Sequence, residues 1–189
     1  MGRIVVFTSV SLDGFIEGRG QRIDWHRVDD ELHQHFNDEL RGMAAFMDGR
    51  VTYELMAGFW PTADADPAAT GPVAEFARIW REKPKLVFSR TLDHADWNTR
   101  ILRTVDADEV RALASEAGGD LSLGGADLAA AFRELRLIDE YQVYVHPVLV
   151  GSGRPLFRKA DAETDLELLE SRRFPNGVVL LRYAVAGGG

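Results

Sequence analysis

The chain contains no cysteine, which excludes disulfides, thiolate metal sites and a cysteine nucleophile and fits a reducing, cytoplasmic setting. It also lacks any apolar run near the roughly 20 residues that a membrane-spanning helix needs. The stretch "IVVFTSVSL" at residues 4–12 is too short for that and has no small-residue cleavage site, so it reads as a first strand. Basic residues are outnumbered: 22 Lys and Arg against 30 Asp and Glu leave a net charge of -8. Nucleic-acid binding rests on clustered Lys and Arg that neutralise phosphates, so no nucleic acid is expected as a partner. There are five histidines. His33 and His35 lie two apart on a helix and cannot face one ion, His26 stands apart, and a His-x-Glu with Cys-x-x-Cys zinc signature is absent. No metal is expected. A Gly-x-Ser-x-Gly nucleophile elbow is missing too, since the Gly-Ser-Gly at 151–153 lacks its frame.

What is present suffices for a core. Of 189 residues 46% are hydrophobic, and the length predicts one domain, residues 1–186, with 187–189 as a frayed tail. Residues 3–12 read as a buried strand and "DGFIEGRGQRID" after it as a glycine-rich loop. Leu32, Phe36 and Leu40 recur at helical spacing behind Asp29 and Asp30, two acids placed where a helix dipole favours them. Next come a strand at 44–49, a helix starting directly after Gly49, a Pro- and Ala-rich surface connection at 60–72, a helix at 73–81 and a strand at 85–89. A helix at 107–117, a strand at 120–125, a helix at 126–136 and a long strand through "EYQVYVHPVLVG" follow, then a hairpin over 165–186 turning at Pro175-Asn176-Gly177. Strands alternating with helices and ending in a hairpin predict an α/β fold with a central, mostly parallel sheet and an antiparallel edge.

Three strand-to-helix junctions share one logic. "MDGRVTYE" puts Gly49, Arg50 and Thr52 at a helix start, "LGGADLAAAF" puts Gly124 and Gly125 at another, and "VFSRTL" puts Ser89 and Arg90 just past a strand. Helix N-termini offer unpaired N–H groups and partial positive charge, which suits phosphate oxygens. In an open α/β sheet such ends gather beyond the carboxyl ends of the strands, where a dinucleotide can lie across them. The adjacent glycines imply a backbone shape or a close approach that no side chain allows. Lys83 and Lys85, with Arg50 and Arg90, are expected near strand ends that would hold a small anion.

In order, "SVSLDGFIEG", "DW", "GRVTYE", "VFSRTL", "LGGADLAAAF" and "HPVLVGSGRPLF" run through nearly the whole chain. The series resembles the dihydrofolate reductase-like superfamily, closest to the reductase domain of the bifunctional riboflavin-pathway deaminase-reductase. That resemblance implies a three-layer α/β/α dihydrofolate reductase-like fold, a homodimer, and an NADPH-dependent reductase that delivers hydride to a pyrimidine- or pteridine-like heterocycle. With the zinc signature absent, a stand-alone reductase domain is expected. Carried over position by position, the resemblance implies that Ser9 and Ile16 contact the nicotinamide carboxamide through their backbone. Gly49, Arg50 and Thr52 would hold the pyrophosphate and the 2′-phosphate side, and Ser89 and Arg90 would meet the adenosine 2′-phosphate. Gly124 and Gly125 would form a strained cis linkage against the cofactor, with Ala126 and Asp127 following it.

The resemblance also implies an acid. Trp25 to Asp30 has the spacing at which folate reductases carry their substrate-binding carboxylate, which points to Asp30 first and Asp29 second. Such a carboxylate anchors the N–C–N edge of a ring and supports proton delivery. Read from the residues alone, either acid is equally a helix N-terminal charge with no chemical role. Glu31 and Gln34 stand where folate reductases have apolar contacts, and Val145 where they have a threonine. A polar pyrimidine is therefore expected ahead of dihydrofolate. His146 could line the site, though a lone His on a strand is more often structural, and Asp13 reads as a turn former. The alternatives are a non-catalytic nucleotide- or ligand-binding module on the same fold, or a dihydrofolate reductase proper.

Overall fold

A computed structural model of the protein describes residues 2–158 and 163–187, so residues 188 and 189 of the expected tail lie outside it. In chain order the elements are β1 (Ile4–Ser11), β2 (Phe15–Gly18), α1 (Asp30–Gly42), β3 (Ala45–Gly49), α2 (Arg50–Ala57), a 3₁₀ turn (Trp60–Ala65), α3 (Pro72–Glu82) and β4 (Lys85–Phe88). Then follow β5 (Thr99–Leu102), α4 (Ala107–Glu116), β6 (Leu121–Gly124), α5 (Ala126–Glu134), β7 (Glu140–His146), β8 (Gly153–Pro155), β9 (Leu166–Arg173) and β10 (Val179–Val185).

Eight strands form one sheet in the order β5-β4-β3-β6-β1-β7-β10-β9. From β5 to β7 every neighbouring pair is parallel, and the C-terminal hairpin adds β10 and β9 antiparallel. Alternate side chains of a strand point to opposite faces, so strands that are apolar throughout must be covered on both. Ile4 and Val6 of β1, Met47 of β3 and Leu123 of β6 meet Val110, Leu128 and Phe132 from α4 and α5. On the other face Val5, Phe46 and Val87 meet Tyr53, Phe76 and Trp80 from α2 and α3. Leu32 and Phe36 of α1 pack on Phe7, Tyr144 and Leu180 beneath the hairpin. The result is a three-layer α/β/α arrangement, as the resemblance implies, around the mostly parallel sheet with an antiparallel edge that the alternation of elements predicts.

Two local expectations are corrected, and one strand is found that the sequence does not predict. The glycine-rich stretch after β1 is not all loop, because β2 pairs antiparallel with β8 in a separate two-stranded ribbon. Asp13 pins the turn leading into it, accepting the N–H groups of Val150 and Gly151 at 3.1 and 2.7 Å. The connection at 60–72 is not wholly superficial: Pro61 and Ala63 are buried, and the Arg81 guanidinium holds their turn through the Pro61 carbonyl and Asp64. β5 is four residues long with Arg100 exposed, too short a pattern to be predicted.

The segment joining β2 to α1 is fastened to the end of β7 by a stack of rings. His26 and His146 lie 5.1 Å apart at 21°, and Trp25 meets both edge-on. The Arg27 N–H donates to His146 Nδ1 at 2.9 Å, and Asn176 of the hairpin turn donates to the Arg27 carbonyl at 2.8 Å. His146 is thus a structural residue, with 0% exposure. Both Nε2 atoms are buried without a partner, and burial pulls each imidazole from 6.5 down to about 4. Each ring stays neutral in the folded chain but protonates on unfolding below 6.5, so the stability it contributes is complete above that pH and lost as pH falls to about 4. Replacing His26 by Phe keeps a ring and removes one titrating group. Unfolding free energies from urea titrations should then lose on the order of 2–3 kcal/mol of their dependence on pH across this window. Parallel acid limbs for the two proteins would count against this account.

Candidate functional site

β3 and β6 are neighbours in the sheet, yet the helices that follow them leave on opposite faces, α2 toward the cluster of Tyr53 and α5 toward that of Phe132. Where successive connections diverge in this way, a crevice opens beyond the carboxyl ends of the strands. Here it is a cleft of about 690 Å³. The structure brings Gly49, Arg50 and Thr52 of α2, Ser89 and Arg90 after β4, and Gly125, Ala126 and Asp127 of α5 together on its walls, with Ile16 and Glu17 of β2, Arg103 and Arg154. Gly124 ends β6 just behind this lining, and Ser9 lies half-buried in β1 opposite Tyr144. Asp30 does not line the cleft; it is exposed in the first turn of α1. Asp29 is the cap of that helix, its carboxylate accepting the Leu32 N–H at 3.0 Å, which leaves Asp30 as the acid not committed to capping.

The starts of α2, α3 and α5 carry no side-chain cap, and two of these, α2 and α5, open onto the cleft, which matters for anions. α1 and α4 are capped by the carboxylates of Asp29 and Asp106. α2 and α5 start at Gly49 and Gly125, neither of which can supply a side-chain cap. Their first N–H groups therefore face the cleft unsatisfied by side chains, and their partial positive charge suits phosphate. Ser89 Oγ accepts the N–H groups of Thr91 and Leu92 at 3.2 and 2.9 Å, so its own proton is left to donate outward.

The cations are unevenly committed. Arg50 is paired with Glu54 at 2.7 Å, and Arg103 donates to the carbonyls of Ser89 and Leu92. Asp127, an acid at the start of α5, is neutralised by Arg154 and Arg158, and Arg154 also holds Glu17 at 2.9 Å. Arg90 is exposed on the cleft wall and makes no ion pair among the described residues. Lys83 and Lys85 are not available to an anion, contrary to the sequence expectation. They lie at the N-terminal end of β4, opposite to the cleft, and donate to main-chain carbonyls: Lys83 to Arg41 and Met43, Lys85 to Trp80 and Lys83.

The glycine pair is also corrected in detail. No cis peptide bond occurs among the described residues. Gly125 instead takes a φ of 85°, in the left-handed region that glycine enters at least cost. A Cβ on Gly125 would lie 2.8 Å from Thr52 Oγ1, and one on Gly124 would collide with Asp48 Oδ1. Close approach and positive φ, not isomerism, exclude side chains here. Asp48 is the residue that sequence reasoning missed, although a carboxylate interrupting the apolar run "AAFMDG" was the available signal. It is 8% exposed, and burial pushes its carboxyl up to about 7 against the pull of the Lys85 ammonium. Lys85 in turn is pulled down to about 8 by burial and sits over the Trp80 ring at 4.4 Å.

The layers and this cleft define an α/β domain of the dihydrofolate reductase-like kind. The sequence profile of the RibD C-terminal domain matches residues 3–180, and the chain belongs to that family. It is 34% identical over 182 residues to the uncharacterized protein YyaP of Bacillus subtilis (strain 168), covering 96% of this chain and 94% of that one. Among solved structures it is similar to a putative riboflavin biosynthesis protein from Shewanella sp. PV-4, with a TM-score of 0.74 at 21% identity over 98% of this chain and 99% of that one. It is also similar to a diaminohydroxyphosphoribosylaminopyrimidine deaminase/5-amino-6-(5-phosphoribosylamino)uracil reductase from Thermotoga maritima, with a TM-score of 0.66 at 14% identity over 98% of this chain but 57% of that one. Among the described residues no helix is long and apolar enough to cross a membrane, and no group of three or more His, Cys, Asp or Glu is placed to hold a metal ion.

The two cleft glycines separate steric from functional need. Gly125→Ala should lose roughly 1–3 kcal/mol of stability in chemical denaturation, because it forces a Cβ onto Thr52 at positive φ. Gly49 has a φ of -76° and open space where a Cβ would go, so Gly49→Ala should cost less than about 1 kcal/mol. Equal losses at both positions would contradict this reading.

Proposed function

We propose that the protein is an NADPH-dependent reductase that delivers hydride to a polar pyrimidine-like heterocycle, acting in the cytoplasm. The observation that carries this reading is the convergence of two side-chain-uncapped helix starts, at Gly49 and Gly125, on one cleft of about 690 Å³ with Arg90 on its wall. The family and its structural neighbours support it.

In this reading Gly49, Thr52, Gly125 and Ala126 hold the diphosphate with backbone and hydroxyl donors, while Arg154 and Arg158 keep Asp127 from opposing it. The Ser89 hydroxyl and the Arg90 guanidinium receive the adenosine 2′-phosphate, with Arg103 fixing the Ser89–Leu92 turn. Ile16 and Ser9 flank the nicotinamide end. Bound NADPH supplies the hydride from its dihydronicotinamide ring. Asp30 orients the heterocycle through its N–H edge and assists the proton that must accompany the hydride.

Fluorescence titration with NADPH and NADH, followed by oxidation assays against aminopyrimidines and dihydrofolate, tests this directly. Arg90→Ala should weaken NADPH about tenfold or more while leaving NADH nearly unchanged, as expected for loss of a hydrogen bond to a charged group. Asp30→Asn should bind NADPH normally and turn over roughly 10²- to 10⁴-fold more slowly. Cofactor binding without turnover of any heterocycle would leave a ligand-binding module, and equal affinity for both cofactors would overturn the NADPH assignment.

We also propose that two copies pair through the open edge of the sheet. β9 ends the sheet with Leu166, Leu168 and Leu169 exposed, and an unpaired edge that carries exposed leucines offers backbone and apolar surface to a twofold partner. Light scattering should give twice the monomer mass; a monomer at micromolar concentration would refute it.

A further inference from the structure

Asp48 has no part in the contacts assigned so far. It is the fourth residue of β3, in register with Gly124 of β6 on one side and Val87 of β4 on the other. Its Oδ1 occupies the space that a Gly124 side chain would need, and Thr52 reaches the same spot from α2. The residue is 8% exposed, and among the described residues no hydrogen bond supports the charged form of its carboxyl. It stands one residue before Gly49, the cap position of α2, and beside the strand end that leads into Gly125, the cap position of α5. It therefore lies beneath the place where the helix starts at Gly49 and Gly125 converge, directly behind the residues that line the cleft.

A charge in that floor acts on whatever the helix starts hold, and burial weakens the solvent screening that would otherwise hide it. We propose that Asp48 is a proton-linked determinant of anion binding in the cleft: as a neutral carboxyl it lets the floor accept a diphosphate, and as a carboxylate it weakens that binding. This rests on the dinucleotide reading given above. Burial pushes the group up to about 7, which puts its change of charge near neutrality.

The surrounding charges do not duplicate this role. Lys85 on β4 is the charged group that acts on the carboxyl, and it is tied to the carbonyls of Trp80 and Lys83. From α2, Arg50 is paired with Glu54, and from α5, Asp127 is held by Arg154 and Arg158. Gly124 and Thr52, which pack directly on it, do not titrate. By reciprocity a bound diphosphate raises the proton affinity of Asp48, so binding near neutral pH takes up a proton.

The test is calorimetric titration of wild type, Asp48→Asn and Lys85→Met with NADPH and with inorganic pyrophosphate, from about pH 5.5 to about pH 8.5, which brackets the midpoint. The ratio of wild-type to Asp48→Asn dissociation constants cancels the ionisation of the ligand itself. It should be near one at the acid end and rise to roughly tenfold at the alkaline end, a coupling of ordinary allosteric size. Lys85→Met removes the compensating cation and should move the wild-type transition to higher pH, a shift that a purely structural role would not produce and that stands even if Asp48→Asn does not fold. A ratio that stays flat while NADPH binds overturns the role of Asp48 and leaves the dinucleotide reading intact. The expected ratio with pyrophosphate but no NADPH binding overturns the dinucleotide reading alone, and failure to bind either ligand overturns both.

Discussion

The contact between the ends of β3 and β6 is the constraint on which the rest of the cleft depends. With α2 and α5 departing on opposite faces, the two strand ends must meet without side chains between them, and Gly124 and Gly125 allow Asp48 and Thr52 to fill that space from one side. The crevice is then a by-product of connectivity. Parallel strands that share an edge but send their helices apart cannot close the gap over their carboxyl ends. The exposed polar backbone of both helix starts is the residue of that geometry, and it is what makes the cleft suited to an anion.

Much of the fold was legible because periodicity and punctuation agreed. The α1 stripe of Leu32, Phe36 and Leu40 and the Gly49 and Gly177 breaks mark element type and order without reference to distant contacts. β2 and β8 were not legible because each is three or four residues long and finds its partner more than 130 residues away, and β5 because its four residues carry no apolar run. Pro61 and Ala63 show the same limit from the other side, since their burial under Arg81 follows from packing of α3 and not from local composition.

The site was legible in its glycines and less so in its charges. Glycine reports backbone need locally, so the Gly124-Gly125 pair located the junction even though a positive φ and close approach, not a cis bond, turned out to be the reason. Charged side chains carry no such local signature. Lys85 reads as an anion ligand until the trace shows its ammonium folded back onto carbonyls at the far end of its strand. Asp48 passes unnoticed in the strand at 44–49 until the register places it against Gly124. Arg154 and Asp127 lie 27 residues apart, and nothing local announces that one neutralises the other.

The ring stack of His26 and His146 joins three pieces of chain that are far apart in sequence: the approach to α1, the end of β7 and, through Asn176, the hairpin turn. The hairpin that carries the sheet's outer edge and the segment that presents Asp30 therefore share one anchorage. The Arg27 carbonyl is one tie between them, and the packing of Leu32 and Phe36 on Phe174, Val178 and Leu180 is another, so the hairpin and the start of α1 move as one piece.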